Sequence, residues 1–138
     1  MESISNPIPS ISILIVEDDD LTREILAAML GERLPEVPLY MAVNGRTGLE
    51  LFKTHTPNIV ITDINMPEMG GFQLAVNIRS IKPDTKLIVL TGCTGKAAMK
   101  DAVAKDFKFD HFIAKPVGFQ EFFAVIEQCV AEIAQKQL

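Results

Sequence analysis

Short apolar runs alternate with stretches of helical periodicity along this chain. Ile11–Val16 (ISILIV) is short, β-branched and almost wholly apolar, the pattern of a strand covered on both faces. Leu21–Leu34 then repeats apolar residues at helical spacing (Leu21, Ile25, Leu26, Met29, Leu30), with Gly31 and Pro35 marking its end. Leu39–Val43 reads as a second strand, and Thr47–His55 as a short helix with Leu49 and Phe52 inward, stopped before Pro57. The alternation continues with a strand over Asn58–Thr62 and a helix over Gly71–Ile81 that ends before Pro83. A strand over Lys86–Leu90 precedes a helix over Lys96–Asp106, and a strand over His111–Ala114 precedes a helix over Phe119–Gln135. That last helix carries Phe119, Phe122, Phe123, Ile126, Val130 and Ile133 at spacings of three and four, which predicts one buried face.

Five strands alternating with five helices imply right-handed crossovers and a parallel sheet with helices on both faces, a doubly wound α/β sandwich. Met1–Ser10 carries Pro7 and Pro9 and no periodicity, so it reads as a flexible lead-in to one domain over residues 11–138. A chain of 138 residues that is 48% hydrophobic can bury a full core without disulfides or metals. Its net charge of −5 argues against a basic nucleic-acid footprint, and no apolar run is long enough to cross a bilayer. Cys93 and Cys129 cannot by themselves make a disulfide framework or a metal site, and a reduced cytoplasmic setting is expected.

In an open α/β sheet, ligands bind beyond the carboxyl ends of the strands. Here the first strand is followed by Glu17-Asp18-Asp19-Asp20, the third by Asp63 and then Ile64-Asn65-Met66-Pro67, the fourth by Thr91 and the fifth by Lys115-Pro116. The second ends in Asn44-Gly45, with nothing ionisable. Each feature has an ordinary explanation. Asp19 or Asp20 suits a helix N-cap, with Asp20 the expected capping residue; Asp63 and Thr91 suit turns, Lys115 a solvated surface, Phe112 a core. Their joint placement at four strand ends is what those explanations leave unaccounted for.

At these residues the chain resembles the receiver domain of two-component response regulators, the CheY-like fold. The matching segments, in order, are LIVEDD, ITDINMPEMGG, VLTG and FIAKP. The resemblance implies strand order 2-1-3-4-5 and phosphorylation on Asp63. It also implies a Mg²⁺ site formed by Glu17, Asp18, Asp63 and the backbone carbonyl of Asn65, with Glu17 acting through water. Thr91 and Lys115 become phosphoryl partners, and Thr91 with Phe112 a switch. That switch would act on the face formed by the helix over Lys96–Asp106, the strand over His111–Ala114 and the helix over Phe119–Gln135, which also offers a dimerisation surface. The implied partners are a sensor histidine kinase or histidine phosphotransfer protein, met by Leu21, Arg23, Ile25, Val117 and Gly118, and a downstream protein target. No direct contact with nucleic acid or membrane is expected, nor any turnover beyond self-catalysed phosphoryl transfer and hydrolysis. The family's Lys-Pro turn also allows a cis Lys115–Pro116 peptide.

This chain departs from the family pattern at Gly70, where an acidic residue is frequent, at Lys108, where Gly is common, and at Phe112, where Tyr is frequent. Cys93 and Asn65 are expected to flank the path of hydrolytic water and to tune phosphoryl lifetime. A haloacid-dehalogenase-type phosphatase also uses an Asp after an apolar strand, but it needs a second Asp where Asn65 stands. An FMN carrier of the same topology would meet four consecutive acids where its phosphate belongs. A degenerate receiver serving only as a binding module would not need Glu17, Asp18, Asp63, Thr91 and Lys115 together. The receiver pattern leaves three residues after Gln135. That predicts a stand-alone receiver that docks to another protein, or a receiver cut from a longer chain, the first favoured by Met1 and the polar ending.

Overall fold

A computed structural model describes residues 10–92 and 107–136. The helix expected over Lys96–Asp106, and Cys93, lie outside the described residues. Five strands are present: β1 (Ile13–Val16), β2 (Leu39–Ala42), β3 (Ile59–Asp63), β4 (Lys86–Thr91) and β5 (His111–Ala114). The described helices are α1 (Asp20–Arg33), α2 (Gly45–His55), α3 (Gly71–Ile81) and α4 (Phe119–Lys136). Every neighbouring pair of strands is parallel, and the order is β2-β1-β3-β4-β5, the doubly wound arrangement expected.

Alternation along each strand divides the core in two, because successive side chains point to opposite faces of a sheet. Ile13, Ile15, Ile59, Ile61, Ile88, Leu90 and Ile113 face one side, where Leu26, Met29 and Leu30 of α1 and Phe122, Ile126, Cys129 and Ile133 of α4 cover them. Leu14, Val16, Val60, Leu87 and Val89 face the other, against Phe52 of α2 and Leu74, Ala75 and Ile78 of α3. The central strands β1 and β3 are buried along their whole length. The edge strands are not: β2 exposes Met41, and β5 leaves Phe112 half exposed.

Several boundaries differ from those read in the sequence, for identifiable reasons. Asp19, not Asp20, is the N-cap of α1; its Oδ2 accepts from the backbone N–H of Thr22 at 2.8 Å, and Asp20 is the first helical residue. Gly31 does not end α1. It lies inside the helix with open space where a side chain would be, and the helix runs to Arg33, ahead of Pro35. Helix α2 starts two residues earlier than expected, at Gly45, because Asn44 caps it by accepting from Thr47 N–H at 2.8 Å. Ile11 stays buried but precedes the strand.

Two glycines allow helices to approach the loop after β3. A Cβ on Gly71, at the start of α3, would sit 2.2 Å from the carbonyl oxygen of Asp63. One on Gly45, at the start of α2, would sit 2.1 Å from that of Met69. The loop that leaves Asp63 is therefore clasped between two helix N-termini.

Candidate functional site: an acidic pocket at the strand ends

β1 and β3 are hydrogen-bonded neighbours in register, Val16 opposite Thr62, so the residues that follow, Glu17 and Asp63, emerge side by side. Glu17 is fully buried and Asp63 nearly so, while Asp18 is exposed. One carboxylate oxygen from each of the three lies within 4.8 Å of the others. Lys115, at the end of β5, reaches across the top of the sheet. Its Nζ stands 2.9 Å from Glu17 Oε1 and 3.2 Å from Asp63 Oδ1. The Glu17 contact is an ion pair off the line of an aligned hydrogen bond, so a buried oxygen there keeps acceptor capacity.

Backbone groups fix the remaining geometry. The N–H of Asp19 donates to Glu17 Oε2 at 3.1 Å, and that of Ile64 donates to Asp63 Oδ1 at 2.9 Å. Arg23 donates to the carbonyl of Glu17 at 2.9 Å and pairs with Asp20. Thr91 ends β4, and its carbonyl accepts from Lys115 N–H at 2.8 Å, which ties the last residue of β4 to the residue after β5. The Lys115–Pro116 peptide is cis.

The charges show the strain of this crowding. Burial pushes the Glu17 carboxyl up from its ordinary value; Lys115 and the Asp19 N–H offset only part of that, and the nearby Asp63 adds to it. Asp63 is also raised, by burial first and in lesser part by Asp18, against the opposing pull of Lys115 and the Ile64 N–H. Burial pulls Lys115 down, but Glu17 and Asp63 outweigh it and hold the ammonium above its usual range. The pocket thus holds more negative charge than Lys115 compensates. Three crowded oxygen donors, two of them buried, suit a hard divalent cation such as Mg²⁺.

Of the residues singled out in the sequence, the fold brings Glu17, Asp18, Asp63 and Lys115 together. Asn65 lies exposed on the loop two residues beyond Asp63. Phe112 is 50% exposed, on the opposite face of β5 from Ile113, with its ring edge-on to Phe109 at 5.8 Å. On α1, Leu21 and Ile25 are exposed, but Arg23 is turned back into the pocket rim, its side chain only 15% accessible. Its role as a rim residue was missed in the sequence; its position one helical turn beyond the N-cap is the signal that could have found it.

A parallel five-stranded sheet in this order, with an acidic pocket and a lysine at its carboxyl edge, is the arrangement of the receiver class of signalling domains. The chain belongs to the response regulator receiver domain family, whose model matches residues 13–127, and is thus a receiver of two-component systems. It is 31% identical over 121 residues to a 14.6 kDa protein of Leptolyngbya boryana, an alignment covering 86% of this chain and 90% of that one. It is 28% identical over 127 residues to the transcriptional regulatory protein YesN of Bacillus subtilis, covering 91% of this chain and 34% of the relative. The chain therefore spans about a third of the length of that regulator. Among solved structures, a two-component transcriptional regulator AraC of Clostridium phytofermentans superposes with a TM-score of 0.82 at 31% identity, covering 93% of this chain and 98% of that one. Among the described residues, no helix is long and apolar enough to cross a membrane.

Proposed function

We propose that this receiver, with residues 11–138 as its extent, accepts a phosphoryl group on Asp63 from a phosphohistidine of a sensor kinase or phosphotransfer protein in the cytoplasm. The observation that carries this reading is the convergence of Asp63, Glu17, Asp18 and Lys115 at the ends of β1, β3 and β5. An Asp63 carboxylate oxygen bonds to phosphorus as the donor's P–N bond breaks, leaving an acyl phosphate on the protein and a neutral imidazole on the donor once it takes up a proton. Lys115 meets the transferring group as a point cation already oriented by Glu17 and Asp63. Asp18, Asp63 and the carbonyl of Asn65 would hold Mg²⁺, with Glu17 reaching it through water. When bound, that ion supplies the positive charge that lets an anionic phosphoryl group enter among three carboxylates.

Thr91 lies on the strand end between Asp63 and Lys115, and its hydroxyl is the group we assign to a phosphoryl oxygen of the product. Inward movement of that hydroxyl would open space for the half-exposed Phe112 to turn in and reshape the face around β5 and α4 for a protein target or a second copy. The exposed Leu21 and Ile25 of α1, with Val117 beyond Lys115, form the surface we assign to the phosphodonor.

The test is incubation with Mg²⁺ and acetyl phosphate, followed by intact mass. The wild-type chain is expected to gain one phosphoryl adduct, and Asp63→Asn none. Absence of an adduct on the wild type, or an equal adduct on Asp63→Asn, would overturn the assignment.

A further inference from the structure

The opposite end of the sheet, where β4 and β5 begin, carries a second group of donor atoms that the phosphoacceptor pocket does not use. His111 opens β5 and, by strand alternation, lies on the same side as Ile113, facing α4. Cys129 and Glu132 lie three residues apart on α4, and hence on one helix face. A ring nitrogen of His111, Sγ of Cys129 and a carboxylate oxygen of Glu132 all lie within 4.8 Å of one another. Cys129 is buried while His111 and Glu132 are half-buried, so the group is closed at its floor and open toward solvent.

We propose that His111, Cys129 and Glu132 form a binding site for a divalent transition metal ion of the zinc type, with the fourth coordination position left to water or to a ligand from a partner. The donor set discriminates between metals. Imidazole, thiolate and carboxylate together suit zinc and its neighbours, whereas Mg²⁺ and Ca²⁺ take oxygen alone. The two ends of the sheet would therefore select different ions. Zinc bonds of about 2.0–2.3 Å place tetrahedral donors roughly 3.3–3.7 Å apart, so donors that lie within 4.8 Å of one another need to close by no more than about 1.5 Å. His111 and Glu132, on the solvent side, have the freedom to supply that movement, and Cys129 is the fixed member.

A competitor is built in. Lys86, the first residue of β4, places its Nζ 3.1 Å from Glu132 Oε1, and its side chain is only 14% accessible. It occupies the carboxylate that the metal needs and places a positive charge beside the site. Asp110 also lies nearby, its Oδ2 held by the N–H of Leu87 at 2.7 Å and by Arg79 at 3.0 Å, but it is not part of the group whose donor atoms all lie within 4.8 Å of one another. Metal affinity is therefore set by a contest between Lys86 and the ion for Glu132. A bound ion would fasten the start of β5 to the middle of α4.

The test uses the full chain, stripped of metal and carrying Cys93→Ser so that only one thiol remains, titrated with Co²⁺ as a spectroscopic probe. One equivalent should produce a thiolate-to-cobalt charge-transfer band with the strong visible absorption of a tetrahedral site. Zn²⁺ should abolish it, and excess Mg²⁺ should not. The band should be lost in Cys129→Ser. His111→Ala and Glu132→Gln, at half-exposed positions that leave the core intact, should each weaken Co²⁺ binding by about tenfold or more, and Lys86→Met should tighten it by about tenfold. No charge-transfer band on the Cys93→Ser chain would overturn the proposal. So would a band whose affinity is indifferent to His111→Ala, Glu132→Gln and Lys86→Met.

Discussion

Replacing Asp63 by Asn should make the metal-free protein more stable, even though it removes a charge that Lys115 contacts. The Asp63 carboxylate has oxygens of Glu17 and Asp18 within 4.8 Å and Lys115 Nζ at 3.2 Å. At an effective dielectric constant of about 20, one like-charged neighbour at that limit costs about 3.5 kcal/mol, and the lysine returns about 5 kcal/mol. Asp18 is exposed, so solvent screens part of its repulsion. Two such neighbours against one lysine leave the ionised residue a Coulomb burden of at most about 2 kcal/mol once Asp18 is screened, and burial, the largest cause of the upward shift of Asp63, acts in the same direction. An amide is nearly the same shape and can still accept the Ile64 N–H that now reaches Oδ1 at 2.9 Å. Urea unfolding followed by circular dichroism, in chelator at low ionic strength, should show the midpoint of the Asp63→Asn variant moved up by about 0.5–1 M at unchanged slope. The sign with pH follows from the raised values of Glu17 and Asp63. Their protonated forms favour the fold, so metal-free stability falls as pH climbs from about 4 through those raised values, and the gain from the substitution grows with it. Mg²⁺ at about ten times its Kd should add about 1.4 kcal/mol to the wild type and less to the variant. A variant that is less stable than wild type in chelator at neutral pH would refute the reasoning, as would equal stabilisation of both by Mg²⁺.

Two further perturbations test the packing around the site and the core. Gly71→Ala would force a Cβ against backbone, 2.2 Å from the Asp63 carbonyl oxygen and 2.9 Å from Ile64 Cα, so it should cost about 1–3 kcal/mol by urea unfolding; a loss under about 0.5 kcal/mol would mean that the loop yields freely. Burial pushes the Cys129 thiol up to about 12, with Glu132 and Asp110 adding to the shift, so in a Cys93→Ser chain without metal it should resist alkylation at about pH 8 until denaturant is added; native and denatured rates that match would contradict its burial.

The sheet was legible because its strands are covered on both faces. ISILIV, NIVIT and KLIVL are continuous apolar runs that only a central parallel strand needs, and the strand ends then placed Glu17, Asp63, Thr91 and Lys115 on one edge without further information. The helix boundaries were less legible because they depend on single side chains. Gly31 looks like a stop but faces open space, and the cap at Asn44, which starts α2 early, is visible only when its Oδ1 is seen to accept from Thr47 N–H. The double contact of Lys115 with Glu17 and Asp63 could not be read from spacing, since it joins strand ends that lie far apart along the chain. The group at His111, Cys129 and Glu132 is hidden for a similar reason. Cys129 belongs to the apolar stripe of α4, and nothing local says that the first residue of β5 will face it.

Arg23 gives the molecule a constraint on how its lineage can diverge. Its guanidinium holds the Glu17 carbonyl and Asp20 at once, although it sits on the helix that also displays Leu21 and Ile25 to the outside. A receiver that meets its phosphodonor through α1, as proposed for this one, can change partners only by altering the exposed face of that helix while leaving the chemistry beneath it alone. On α1 that separation is possible at Leu21 and Ile25 but not at Arg23, where any exchange would disturb the backbone that presents Glu17. If α1 meets the phosphodonor as proposed, recognition there can change at the exposed Leu21, Glu24, Ile25 and Ala28, in charge as well as shape, while Arg23 stays tied to the pocket.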